Sequence, residues 1–162
     1  MIRLAKTEDL DKLMKIYEAA RDYMRKSGNP TQWRTEYPPR NILESDILLQ
    51  QLYVVEIEGE ICGAFVLIFG DDPTYNYIED GDWPNNKPYG TIHRLASGGT
   101  SKGVFKQCID FCKTQSNNLR IDTHTNNKTM RHLIEKHGFQ RCGLIFISDG
   151  TSRIAYQFVK DE

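Results

Sequence analysis

Gly98-Gly-Thr-Ser-Lys-Gly103 gathers three glycines, two hydroxyls and an ammonium, just ahead of a segment with helical spacing. A helix starting near Gly103 and Val104 leaves its first backbone N–H groups unpaired and carries partial positive charge at that end. The glycines let an anion approach the backbone, Thr100 and Ser101 add hydroxyl donors, and Lys102 adds charge. Such a loop suits a diphosphate; the same residues would also serve as a plain loop before an ordinary helix. A nucleoside-triphosphate loop fits poorly, because Lys102 precedes Gly103 instead of following it.

The second informative stretch runs from Arg120 to Phe139. Ile121 leads out of a short apolar strand, and Asn126 or Asn127 can cap a following helix. Met130, Leu133, Ile134 and His137 recur at helical spacing, Gly138 suits the left-handed position past a helix end, and Phe139 can open a strand. Cys108 and Cys112 stand one helical turn apart, but no Cys-x-x-Cys or paired His spacing accompanies them. With Cys62 and Cys142 they read as reduced, buried core residues, and no metal is expected. Asn127-Lys-Thr matches a glycosylation acceptor pattern, which carries no weight beside an N-terminus without a signal-peptide core.

The elements that must position these residues follow from pattern. At 162 residues, with 39% hydrophobic and 27% charged side chains, the chain suits one globular domain spanning 1–162. A net charge of −1 without a basic stripe argues against a nucleic-acid partner, and no apolar run approaches a membrane span. The cytoplasm is the expected location. Ile2 to Ala5 reads as a strand; Thr7 as the cap of a helix carrying Leu10, Leu13, Met14, Tyr17, Ala20 and Met24; Ile42 to Gln50 as another helix. Tyr53–Ile57 and Ile61–Phe69 suit a hairpin, followed by a polar and aromatic insertion from Gly70 to Pro88. Tyr89–Ala96 reads as a strand, Gly103–Gln115 as a helix, and Gln140–Ile147 with Arg153–Val159 as a closing strand pair around Asp149-Gly. The order is βα(α)ββ–βα–βα–ββ, an α/β (α+β) mixed sheet with helices on both faces.

With its polar Gly loop after the fourth strand, that order resembles the GNAT superfamily of acyl-CoA-dependent N-acyltransferases, across essentially the whole chain. Thr91 to Lys106 occupies the place of the family's cofactor loop, commonly Arg/Gln-x-x-Gly-x-Gly/Ala. Asn127 to Phe139 resembles the family's Asn…(Tyr)-x-Lys-x-Gly-Phe helix. Thr100 stands where Arg or Gln is usual, Phe105 replaces the second small residue, and Ile134 sits where many members have a Tyr. The resemblance implies a mostly antiparallel sheet of six to seven strands, with the fourth and fifth parallel and splayed. It implies acetyl transfer from acetyl-CoA to an amine, without a metal.

The same resemblance places the pantetheine arm along Leu95, Ala96 and Ser97. The diphosphate then falls on Thr100, Ser101, Lys102, Gly103 and Val104, and Asn127 joins the cofactor site besides capping its helix. For the proton of the acceptor, His93 stands first, titrating intrinsically near neutral pH, although a hydrogen-bonded structural role is an equal alternative. Glu79, through a water, and His124 follow. Tyr156 or Cys142 could protonate the leaving thiolate, or solvent could suffice. Asp71 to Trp83 combines five carboxylates with three aromatic rings, so Tyr75 and Trp83, with Trp33 and Tyr37, are expected to line a site for a cationic amine. A solvated surface loop is the plainer alternative. The expected partner is thus a small-molecule or peptide amine, with a homodimer left open. A non-catalytic acyl-CoA-binding module of the same fold is the competing function.

Overall fold

A computed structural model describes residues 1–34 and 36–160. The strands are β1 (Ile2–Leu4), β2 (Leu52–Ile57), β3 (Glu60–Phe69), β4 (Gly90–Ser97), β5 (Asn118–Thr123), β6 (Gln140–Phe146) and β7 (Ser152–Val159). The helices are α1 (Leu10–Lys26), α2 (Arg40–Leu48), α3 (Val104–Gln115) and α4 (Lys128–Lys136). One seven-stranded sheet has the order β1-β2-β3-β4-β5-β7-β6, antiparallel throughout except for the parallel β4–β5 pair.

Strand alternation divides the core between the two faces. Leu52, Val54, Ala64 and Val66 pack beneath α1 and α2, against Leu13, Tyr17 and Leu43. Val55, Phe65, Ile92, Leu119, Ile121 and Ile154 pack on the other face, beneath α3 and α4, against Cys108, Ile109, Cys112 and Ile134. Where α1 and α2 run out, the insertion takes over, burying Tyr75 and Tyr89 against Ile145 and Ala155.

Local chemistry explains four helix boundaries. Thr7 does not cap α1: it starts a short 3-10 turn over Thr7–Asp9. The Asp9 carboxylate, gripped by Arg3 at 2.8 and 3.0 Å, accepts the Lys6 backbone N–H instead. The second helix spans Arg40–Leu48, earlier than its apolar residues indicate, because Pro39 precedes it and fixes an extended entry. At α4 the cap is Asn127, whose Oδ1 accepts the Met130 N–H at 3.1 Å. That helix ends with Gly138 at φ +92°, the Gly138 N–H bonded to Glu135 O and the Phe139 N–H to Ile134 O. These two bonds form the reciprocal closure that glycine permits.

Candidate active site

β4 is irregular where the site forms. Ala64 faces Ala96 and Val66 faces His93, so β4 spends three residues where β3 spends two. Ile92 and Leu95 therefore face the same core although they are three apart, which a period of two forbids without an extra residue. Arg94 is that extra residue, with φ at +47°. Its carbonyl accepts the buried Tyr17 hydroxyl at 2.7 Å, and its guanidinium meets Asp46 on α2 through two bonds of 2.9 Å. A further N–H donates to the Tyr37 hydroxyl at 3.0 Å.

The bulge turns β4 away from its parallel neighbour. Residue pairing between β4 and β5 covers only Gly90 with Leu119 and Thr91 with Arg120. Beyond it the sheet opens into a cavity of about 420 Å³. Its walls draw Ile92, Leu95, Ile121 and Met130 from the α3–α4 face, and Trp33, Tyr37, Asp72 and Arg153 from the opposite side. Its lining thus draws on residues from both faces of the sheet.

His93 and Asp72 form a hydrogen-bonded pair on the cavity wall, Nε2 lying 3.1 Å from Oδ2. That bond, helped by the Thr74 N–H on Oδ1 at 3.0 Å, holds the Asp72 carboxyl below the usual carboxylate range. An ionised carboxylate only accepts hydrogen bonds. Neutral His93 must therefore carry its hydrogen on Nε2, leaving the Nδ1 lone pair free to take a proton.

At the C-terminal end of β4, Gly103 begins α3 in the left-handed conformation, at φ +77°. The helix N-terminus is pressed onto the sheet: a Cβ at Gly63 would lie 2.4 Å from Val104 Cγ1 and 3.0 Å from the Ala96 carbonyl. Gly99 and Gly103 have open space beside them, whereas Gly98 is needed for packing, since a Cβ there would meet Ile16 at 2.7 Å. Thr100 and Lys102 are exposed and Ser101 half-buried. This open turn, next to unpaired helix N–H groups, fits a diphosphate group.

Known proteins share this fold. A crystal structure of a GNAT-family acetyltransferase from Streptococcus agalactiae is 32% identical, with a TM-score of 0.92 over 100% of this chain and 96% of that one. The chain belongs to the GNAT acetyltransferase family. A GNAT-family acetyltransferase from Listeria monocytogenes has a TM-score of 0.70 at 22% identity, over 98% of this chain and 94% of that one. Ribosomal-protein-alanine N-acetyltransferase from Brucella melitensis has one of 0.61 at 17%, over 98% and 99%. These two likenesses are of fold. No protein-family profile matches the sequence, and no curated protein does either.

Within this GNAT protein, the sequence-predicted site residues separate into groups. His93, Trp33, Tyr37 and Leu95 line the cavity. Ala96, Ser97, Thr100, Ser101, Lys102 and Val104 lie just past it, along the end of β4 and the α3 start. Asn127 is buried, its Oδ1 committed to the cap and its Nδ2 donating to Gln32 at 3.2 Å. One N–H and one lone pair of its amide remain beyond these bonds. Glu79 stands outside the cavity: its backbone bridges to Leu144 on β6, and its carboxylate accepts from the exposed Tyr77 hydroxyl. Tyr156 is fully buried on the α3–α4 side and does not line the cavity. His124 lies off the cavity, its Nδ1 accepting the Asn126 N–H at 3.0 Å, and burial holds its pKa below the ordinary imidazole value.

Tyr75 and Trp83 are also elsewhere. Tyr75 is buried and donates its hydroxyl to Asp122 at 2.6 Å, while Trp83 bonds the Tyr75 carbonyl at 2.9 Å. The Trp83 and Tyr89 rings enclose the Arg120 guanidinium at 3.8 and 3.9 Å. The cation gathered by the aromatic insertion is the chain's own.

Sequence reasoning missed Asp72 as the partner of His93, and with it Gln32, Asp46 and Arg153. Asp72 was visible only as one of the insertion's five carboxylates. Arg153 carried a faint signal, being a charge at an inward position of an apolar strand. All four cysteines are free and buried; burial pushes the Cys112 thiol up to about 12 and Cys108 upward as well. Among the described residues no group of three or more His, Cys, Asp or Glu could hold a metal, and no helix is long and apolar enough to cross a membrane.

Proposed function

We propose that this GNAT protein transfers an acetyl group from acetyl-CoA to a primary amine, by direct attack within a ternary complex. The observation that carries this reading is the cavity where β4 leaves β5, with the His93–Asp72 pair on its wall. The donor diphosphate would rest on Thr100 to Val104 at the α3 N-terminus, and the pantetheine arm would follow the unpaired edge of Leu95 to Ser97. A backbone N–H near Leu95 would meet the thioester oxygen as negative charge develops there.

His93 takes the proton that the attacking amine must lose, through Nδ1, and Asp72 holds the ring in the matching tautomer. The remaining gain comes from holding two reactants at contact distance. The departing thiolate needs no buried acid, since an ordinary thiol pKa near 8.5 lets solvent protonate it. Glu79 and Tyr156 have no part in this scheme, because neither reaches the cavity.

Two measurements test it. Coenzyme A should raise the melting temperature, and acetyl-CoA with an amine panel should release free thiol. The chain's own thiols are buried and interfere little. His93→Ala should lower turnover about a hundredfold while keeping the thermal shift. Stabilisation without thiol release from any amine would leave a binding module; no stabilisation would remove both readings.

A further inference from the structure

Three arginines are deeply placed, and two are satisfied within the protein. Arg94 has its two-point pair with Asp46. Arg120, 4% exposed, lies between two rings and donates to Gln157 Oε1 at 3.0 Å and the Asn85 carbonyl at 3.2 Å. Arg153 is buried to the same 4%, without comparable compensation. Its Nη1 alone donates, to Thr151 Oγ1 at 3.0 Å and the Ser152 carbonyl at 2.9 Å. Among the described residues its Nε and Nη2 have no hydrogen-bond partner, and no carboxylate reaches it in an ion pair.

Two carboxylates, Asp122 and Asp149, lie near enough to act on the Arg153 charge, but neither reaches it in a hydrogen bond or ion pair among the described residues. Asp122 is one strand away on the same face and accepts from Tyr75. Asp149 accepts the Thr151 N–H at 2.9 Å and faces Arg34 at 3.4 Å. Burial lowers the Arg153 pKa, as it does that of Arg120, with Asp122 and Asp149 offsetting part of the effect; that of Arg94 beside Asp46 is raised. After burial itself, the Arg153 charge is what holds nearby His124 low. A buried guanidinium with open donors on a cavity wall is half of an ion pair.

We infer that Arg153 anchors a carboxylate of the acceptor, so the amine that is acetylated belongs to an amino-acid-like molecule. This rests on the acetyl-transfer reading above. Arg153 stands at the start of β7 and His93 on β4, on walls of one cavity. An acceptor spanning it sets its carboxylate on the guanidinium fork and its amine toward His93 and Asp72. The expected cationic amine thereby becomes a zwitterion, held at both ends.

The test is an acceptor comparison with acetyl-CoA: the common α-amino acids, β-alanine and γ-aminobutyrate against their carboxamides and decarboxylated amines. At least one carboxylate-bearing amine should exceed its neutral analogue in kcat/KM by on the order of a hundredfold. Arg153→Gln should collapse that ratio to within a few-fold of one, chiefly through KM, and Arg153→Lys should restore part of it. Folding of each variant is checked by the coenzyme A thermal shift. A wild type preferring amines without an anion overturns the proposal, and so does a ratio unchanged in Arg153→Gln. Should no amine release thiol, the transfer reading falls, and binding decides the anion site separately. Thermal shifts from the same amino acids, present in wild type and absent in Arg153→Gln, support it; no shift from any carboxylate overturns it.

Discussion

Asp46 and Arg94 meet in a two-point ion pair, 2.9 Å at each bond, at the residue where β4 departs from regular pairing. Asp46 is 3% exposed and also accepts from Gln51 at 2.9 Å, so the pair is fixed on both sides. Removing the carboxylate strands a half-buried guanidinium on a left-handed backbone. Asp46→Ala should lose about 3–5 kcal/mol in urea unfolding. Asp46→Asn should lose less, because one acceptor survives. A loss under about 1 kcal/mol for the alanine variant would mean the bulge holds its own shape.

The His93–Asp72 contact predicts an acid dependence of stability. The folded Asp72 pKa is depressed, first by the His93 bond, so the unfolded chain takes up this proton before the folded one does. Its contribution is complete above the unfolded value, about 3.9, and fades as pH falls through the lower folded value. The stability gap between wild type and Asp72→Asn should be widest near pH 6 and shrink toward pH 2.5. An equal gap at both ends would show that the carboxylate gains nothing from its imidazole. Asp9, depressed chiefly by its bond to Arg3, should retain its own acid sensitivity in that variant.

Gly63→Ala tests the seat of α3. The added methyl would sit 2.4 Å from Val104 Cγ1 and 3.0 Å from a backbone oxygen, so the helix start must shift. A stability loss of about 1–3 kcal/mol is expected. Coenzyme A affinity should fall too, because Gly63 packs against Val104 at the start of α3. Lowered stability with unaltered affinity would separate the α3 start from the diphosphate site.

Gln32 gathers the far wall. Its Oε1 accepts from Asn29, Asn127, Thr123 and the His124 N–H at 2.9, 3.2, 3.3 and 3.4 Å. Gln32→Ala should accelerate amide exchange at His124 and leave Met130 protected, because Asn127 still caps α4. Asn127→Ala should expose Met130 and cost about 1 kcal/mol. Matching exchange patterns in the two variants would mean the link and the cap are one unit.

The sequence carried much of this fold, because strand and helix periods are local. The Asn127 cap, the Gly138 exit and the β6–β7 hairpin each depend on residues a few positions apart. The site depends on distant ones. His93 finds Asp72 across 21 positions of irregular chain, and Arg94 finds Asp46 across 48. No spacing rule reaches that far. The insertion misled for a related reason: composition shows that rings and carboxylates are present, but not which cation they surround. Here Trp83 and Tyr89 serve Arg120, and the cavity is left with arginines of its own.

The short β4–β5 pairing has a mechanical consequence. Strands β1 to β4 form one plate and β5 to β7 another, and strand pairing across the seam between them covers two residue pairs among the described residues. A thioester arm lying in the gap would act as a splint, lending its amides to a joint the polypeptide leaves unfinished. Occupancy and rigidity would then rise together, and exchange at Ile121 and Leu95 would report the splint before any chemistry begins.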